Sequence, residues 1–183
     1  MSANSTLVLT LELMNENRQP RETVLTVEYE YLATIPADFT KLDSWWLDVG
    51  DCKSDVPVPA SQTVFNLTAP SWTAPSDGTI VFTAGHVHDG GTLLKARRNN
   101  STLCDYIPTY GGAPGFVQQM SGDMAPITHI SSMSTCTNAG GFKSGDTFDL
   151  HAEYDISSHA AMHGSHGALE PVMGIAIAFV KGG

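Results

Sequence analysis

The stretch TIVFTAGHVH, residues 79–88, has the alternating pattern of a β-strand, and it gives the clearest indication of the fold. Successive side chains of a strand point to opposite faces, so every second residue shares a face. One predicted face carries Ile80, Phe82, Ala84, His86 and His88. We therefore expect the two histidines to continue an apolar, core-facing row, about 7 Å apart along the strand. Burying two imidazoles without a partner is costly, which favours a shared metal ion.

Most other segments also predict strands. Alternating patterns cover Thr6 to Met14, Val24 to Tyr31, Asp146 to Asp155 and Met173 to Val180, with shorter candidates at Trp45 to Val49, Val64 to Thr68 and Thr92 to Ala96. Clusters of Pro, Gly, Asn, Asp and Ser separate them, and no segment keeps a helical period over three turns. Many short strands with this punctuation predict an all-β, antiparallel jelly-roll β-sandwich, and we expect one domain over residues 1–183.

The composition narrows the classes of partner. The formal net charge is −10, and the basic residues are few and scattered. This balance argues against nucleic acid or an anionic membrane, which are bound through basic patches. The longest apolar run, Val172 to Val180, is about half of the ~20 residues that a membrane-spanning helix needs. We expect neither nucleic acid nor a membrane as partner.

The sequence also gives an expectation of compartment. The first residues lack a signal peptide, yet four N-glycosylation sequons occur, at Asn4, Asn66, Asn99 and Asn100. Chance sequons are common in a Ser/Thr-rich chain, so glycosylation and chance stay open. We expect the mature form of a secreted glycoprotein whose leader has been removed.

The three cysteines permit one disulfide and leave one thiol. We favour Cys104–Cys136, because both are flanked by loop-like sequence. Such a bond would stabilise the fold by roughly 3–4 kcal/mol through the lost entropy of the unfolded chain. The alternative is that Cys52, Cys104 and Cys136 are all reduced.

The remaining histidines offer further ligands. His151 is expected to face solvent, whereas His159, His163 and His166 crowd a Gly/Ser/Ala loop before the last strand. That loop could be a metal site, a pH-sensitive lid or polar surface. Met173 shares a face with Ile175, Ile177 and Phe179 and is by default part of the core, but it opens the last strand beside this loop. A thioether beside two imidazoles suits copper and suits calcium or magnesium poorly.

Several motifs carry a family resemblance. They are GHVHDGG at 85–91, Cys104-Asp105, Tyr110-Gly111, HISSMSTC at 129–136, Gly145-Asp146 and PVMGIA at 171–176, with ELMN at 12–15, EYEY at 28–31 and WLDV at 46–49 upstream. Together they resemble the stress-up-regulated nodulin-type family of plants and fungi over nearly the whole chain. More distantly, the His-x-His and the Met before an apolar strand resemble the C-terminal copper domain of peptidylglycine and dopamine monooxygenases.

This second resemblance implies a jelly roll in which His86, His88 and Met173 hold the copper that activates dioxygen. If Met173 instead belongs to the core, His159 or His163 of the loop becomes the better third ligand. Those monooxygenases have another domain, whose copper is held in part by an adjacent His-His pair. This chain has no such pair. We therefore do not expect a self-contained two-copper hydroxylase.

Three functions remain open. The first is a mononuclear copper protein that oxidises a small molecule with dioxygen and an external electron donor. The second is copper sequestration or sensing without turnover. The third is a metal-free isomerase or cyclase that uses the same histidines as acid and base groups.

Overall fold

The computed structural model describes residues 6, 8–9, 11, 20, 22–120, 122, 124–164 and 167–182. The chain divides into two compact units, residues 1–39 and residues 40–183. Within the described residues, no helix is long and apolar enough to span a membrane.

The described residues of the first unit form no strand and no helix. The strand predicted over Val24 to Tyr31 is therefore wrong, and all of its side chains are exposed. An alternating segment becomes a strand only where a neighbour pairs with its backbone, and no described residue pairs with this one. Of the strand predicted over Thr6 to Met14, residues 6, 8–9 and 11 are described and lie outside any strand, and the others lie outside the described residues.

The second unit is built from short strands. They are β1 (Asp43–Asp48), β2 (Asp55–Val56), β3 (Val64–Thr68), β4 (Trp72–Thr73), β5 (Gly78–Val87), β6 (Gly91–Arg98), β7 (Ser101–Tyr106), β8 (Pro108–Tyr110), β9 (Val117–Gln118), β10 (Ile127–Thr128), β11 (Ile130–Met133), β12 (Thr135–Phe142), β13 (Thr147–Asp155) and β14 (Val172–Gly182). A single 3₁₀ turn, Pro114–Phe116, is the only helical element among the residues described. The all-β prediction is confirmed.

Two antiparallel sheets form the sandwich. The front sheet has the order β1-β14-β5-β12, with β2 beside β14, and the back sheet has the order β3-β13-β6-β7, with β4 beside β13. Strands from the two ends of the unit therefore pair in a nested series: β1 with β14, β3 with β13, β5 with β12 and β6 with β7. This nesting across two sheets is the connectivity of a jelly roll. Two small ribbons, β8 with β11 and β9 with β10, complete the pairing.

The core lies between the two sheets. The predicted inward row of β13 is confirmed, since Phe148, Leu150, Ala152 and Tyr154 are all buried. One cluster joins this row to residues of the front sheet such as Val87, Val172 and Ala176. A second cluster, around Ile80, Phe142 and Phe148, closes the other end. Strand alternation sets the inward positions of β13 in both clusters.

A β-bulge changes the phase of β5. Val81 has no Cα partner in either neighbouring strand, because the pairing passes from Ile80 directly to Phe82 on both sides. An extra residue of this kind turns the following side chains to the opposite face. Beyond it Thr83 and Val87 are buried, whereas His86 is exposed. The prediction that His86 and His88 face the core is therefore wrong: they share a face, as predicted, but it is the outer face of the front sheet.

The buried face of the last strand, β14, is also the opposite of the predicted one. In β14 the buried side is the one with Val172, Ala176, Ala178 and Val180, and Met173 lies on the outer side. Small residues face inward because the core leaves little room on that side of β14. A Cβ on Gly174 would come within 3.0 Å of both Cβ of Ala152 and Cγ2 of Val49. The bulkier face of β14 is consequently the outer one.

Candidate metal centre

His86 and His88 lie together at one end of the outer face of the front sheet. Their ring centroids are 5.4 Å apart, and the ring planes are nearly perpendicular at 83°. The strand sets this placement, because residues two apart in an extended chain share a face. Two imidazoles so arranged can turn their nitrogens toward one common ion.

Met173 lies on the neighbouring strand beside His88. Val87 pairs with Gly174, and the backbone N–H of His88 donates to the carbonyl of Met173 at 3.1 Å. Side chains of directly paired residues share a face, so Met173 and His88 are neighbours on the outer side. The Met173 carbonyl also accepts a hydrogen bond from the Tyr154 hydroxyl at 2.7 Å, which fixes the backbone at this point. The structure thus brings together the three residues predicted as a ligand set.

The ring of His88 is already oriented by the protein. Its Nδ1 donates to the carbonyl of Pro171 at 2.8 Å. A carbonyl can only accept, so Nδ1 carries a proton, and in the neutral ring the lone pair is on Nε2. Ligating histidines commonly bind metal through one nitrogen while the other donates in this way.

His86 is held toward its neutral form. It is exposed by overall accessible area, yet protein atoms packed around the ring lower its pKa, and the neighbouring His88 lowers it further while Asp89 opposes both. A metal ligand must be the neutral imidazole, so this shift favours binding.

A buried carboxylate follows the histidines directly. Asp89 is only 5% exposed. Its Oδ2 accepts a hydrogen bond from Nδ1 of His129 at 2.5 Å, and its Oδ1 accepts one from the backbone N–H of Ile130 at 2.9 Å. The end of β5 is thereby joined to the start of β11.

A tyrosine holds the following turn. The Tyr110 hydroxyl accepts from the N–H of Gly90 at 3.0 Å and donates to the carbonyl of Gly91 at 2.8 Å. Burial raises the pKa of this phenol, and the Asp89 carboxylate raises it further. Tyr110 is therefore a neutral hydroxyl that acts as acceptor and donor at once.

The other histidines lie in different surroundings. His159 stacks on Tyr110, with ring centroids 3.7 Å apart and planes 6° from parallel. His163 is exposed and forms an isolated bridge with Leu169. His151 contacts the Thr68 hydroxyl through Nδ1 at 2.8 Å. Among the described residues, no three His, Cys, Asp or Glu side chains cluster as a metal site. The choice among Met173, His159 and His163 as third ligand stays a prediction, and His166 lies outside the described residues.

The disulfide predicted between Cys104 and Cys136 is present, and Cys52 is an exposed free thiol. The disulfide joins β7 at the edge of the back sheet to β12 at the edge of the front sheet. The bond therefore ties the two layers of the sandwich together.

The sequons differ in their surroundings. The Asn99 amide donates to Asp146 at 2.7 Å, and its oxygen accepts from the backbone N–H of Thr147 at 2.8 Å. Asn66 and Asn100 are exposed, and Asn4 lies outside the described residues. Glycosylation and secretion stay predictions.

Sequence reasoning did not identify Asp89, His129 and Tyr110 as parts of the site. Each lies in one of the motifs quoted above: Asp89 within GHVHDGG, Tyr110 in Tyr110-Gly111 and His129 at the start of HISSMSTC. Their presence in these motifs is the sequence signal that could have identified them. Their contacts with one another depend on the tertiary fold.

Comparison with known proteins gives two curated relatives. The chain is 31% identical over 184 residues to the probable copper-dependent oxygenase M1 of Phoma sp., with 98% of this chain and 45% of that protein covered. It is 30% identical over 181 residues to the probable copper-dependent oxygenase clz3 of Cochliobolus lunatus, with 98% and 56% covered. No protein-family model matches the chain. The chain spans about half the length of the curated relatives it matches. It is thus similar, over nearly all of its own length, to proteins named probable copper-dependent oxygenases, and the nodulin-type resemblance stays a prediction.

Proposed function

We propose that this chain is a mononuclear copper domain of an oxygenase that oxidises a small molecule with dioxygen and an external reductant. The observation that carries the proposal is the meeting of His86, His88 and Met173 on one outer face of the front sheet. The similarity to proteins named probable copper-dependent oxygenases supports it.

The donor set suits copper. Two imidazoles and a soft thioether match a metal that cycles between Cu(I) and Cu(II), whereas hard cations prefer oxygen ligands. Nε2 of His88 is free to bind because Nδ1 is engaged with Pro171. The lowered pKa of His86 favours the neutral ring. Three protein ligands would leave a position for a small molecule.

Bound copper would supply one-electron chemistry toward dioxygen. Inserting one oxygen atom into a C–H bond, R–H + O₂ + 2 e⁻ + 2 H⁺ → R–OH + H₂O, needs two electrons. One copper provides a single electron at a time, so the proposal requires an outside donor such as ascorbate. The chain's own residues hold and orient the ligands: Pro171 fixes the His88 ring, and Tyr154 fixes the backbone of Met173.

Oxygen consumption by copper-loaded protein tests the proposal. We expect slow consumption that depends on ascorbate, exceeds the free-copper control and is lost in His86→Ala. His151→Ala is the matched control, since His151 lies on β13 in the other sheet and should leave the rate unchanged.

The alternatives predict other results. Tight copper binding without oxygen consumption would favour sequestration or sensing. A chain with no affinity for copper would leave the metal-free acid–base interpretation.

A further inference from the structure

We propose that Asp89, His129 and Tyr110 are positioning residues of the copper site, which hold the turn after His88 so that both imidazoles keep their shared orientation. This inference rests on the proposed function. It concerns residues that would not touch the metal and would act through the backbone.

The first support is the burial of Asp89. A carboxylate that is 5% exposed is costly unless it is paired and hydrogen-bonded. Both of its oxygens are used, one by the His129 ring and one by the N–H of Ile130. Since Asp89 is covalently next to His88, its position restrains the backbone of that ligand.

The second support is the clamp on the two glycines that follow. The turn is closed by a hydrogen bond from the N–H of Gly91 to the carbonyl of His88 at 3.0 Å. The Tyr110 hydroxyl then bonds to both Gly90 and Gly91 from outside the turn. Gly90 has φ +92°, and a Cβ there would come within 2.7 Å of Ile156 Cγ2, so only glycine fits this position without strain.

The third support is that the two anchors share one ribbon. Tyr110 ends β8 and pairs with Ile130 of β11, and His129 directly precedes β11. The ribbon thus contacts the turn at residues 88–91 twice, once at Asp89 and again at the two glycines. The His159 ring stacks on one face of the Tyr110 ring. Such outer contacts commonly change metal affinity by about 10–100-fold when they are removed.

The test compares two tyrosine variants. Tyr110→Phe removes only the hydroxyl that bonds to the turn and keeps the ring on His159. Tyr106→Phe is the matched control, because its hydroxyl is also buried but bonds to Thr83 in the core. Asp89→Asn serves as a second variant at the other anchor. Cu(I) affinity is measured by competition with a chromophoric Cu(I) chelator, the Cu(II) site by electron paramagnetic resonance, and folding by thermal unfolding.

We expect Tyr110→Phe and Asp89→Asn to weaken Cu(I) binding about tenfold or more and to change the Cu(II) hyperfine splitting. Tyr106→Phe should match the parent in both, although it lowers the melting temperature. If the parent binds copper through His86 and both anchor variants bind within twofold of it, this inference alone is wrong. If copper binding survives in His86→Ala, the proposed function and this inference both fail.

Discussion

Replacing Gly85 with alanine would place a methyl group in the core of the sandwich. The added Cβ would lie 2.5 Å from Cγ of Tyr106 and 2.8 Å from Cδ2 of Leu94. Both neighbours are 0% exposed, so neither can move into solvent. Overpacking of this kind costs about 1–3 kcal/mol, and contacts this short at immobile groups point to the upper half of that range. For a unit of this size, the melting temperature should fall by roughly 4–10 °C.

Thermal unfolding of Gly85→Ala beside Gly141→Ala measures this effect. A Cβ on Gly141 would have its nearest neighbour at 3.6 Å, so that variant should be as stable as the parent or up to about 1 kcal/mol more stable. The comparison also tests the phase of β5, since an outward Gly85 would accept alanine freely and would turn His86 inward. Equal stability of the two variants would show that Gly85 does not face the core.

Three further outcomes are expected. Met173→Leu should change stability by less than ~1.5 kcal/mol but should weaken Cu(I) binding in a competition assay, because only the sulfur is lost; parent-like affinity would remove Met173 from the ligand set. Replacing Cys104 and Cys136 with alanine should lower the unfolding free energy in urea by roughly 3–4 kcal/mol, and unchanged stability would contradict the account. Asp146→Asn should destabilise at neutral pH, because bonds from Asn99 and a backbone N–H lower the pKa of Asp146. The stabilisation is present above the unfolded pKa and is lost as pH falls through the folded pKa, so the variant and the parent should converge in acid; a constant difference would contradict this.

The sequence predicts the sandwich well where one face of a strand is clearly apolar. Asp146 to Asp155 is such a case, and its inward row agrees with the structure. The phase of β5 could not be predicted, because nothing in the alternation around Val81 marks the bulge. The bulge arises from the way β5 pairs with β12 and β14.

The predicted core face of the last strand was wrong for a different physical reason. Both of its faces are apolar, and the larger side chains at Met173 and beyond suggest a core face. The structure buries the small face because the opposite sheet leaves little room there: a Cβ on Gly174 would lie 3.0 Å from Cβ of Ala152 and 3.3 Å from Cδ1 of Leu94. Only knowledge of the facing sheet could reverse that choice. Both predictions placed outward-facing residues in the core. His86, His88 and Met173 therefore still share one face, but it is the outer one.

The contacts that hold the turn at residues 88–91 could not be predicted from spacing alone. Asp89 and His129 are 40 residues apart, and their contact depends on β11 being placed beside the end of β5. The sequence provides the chemistry of each group but not the distance between them.

X-ray absorption at the copper edge of the loaded protein tests the central claim most directly. We expect one copper per chain with two imidazole nitrogens and one sulfur in its first coordination sphere, and loss of that site when His86 and His88 are both replaced by alanine. Copper surrounded only by nitrogen and oxygen, or a spectrum unchanged in the double variant, would contradict it.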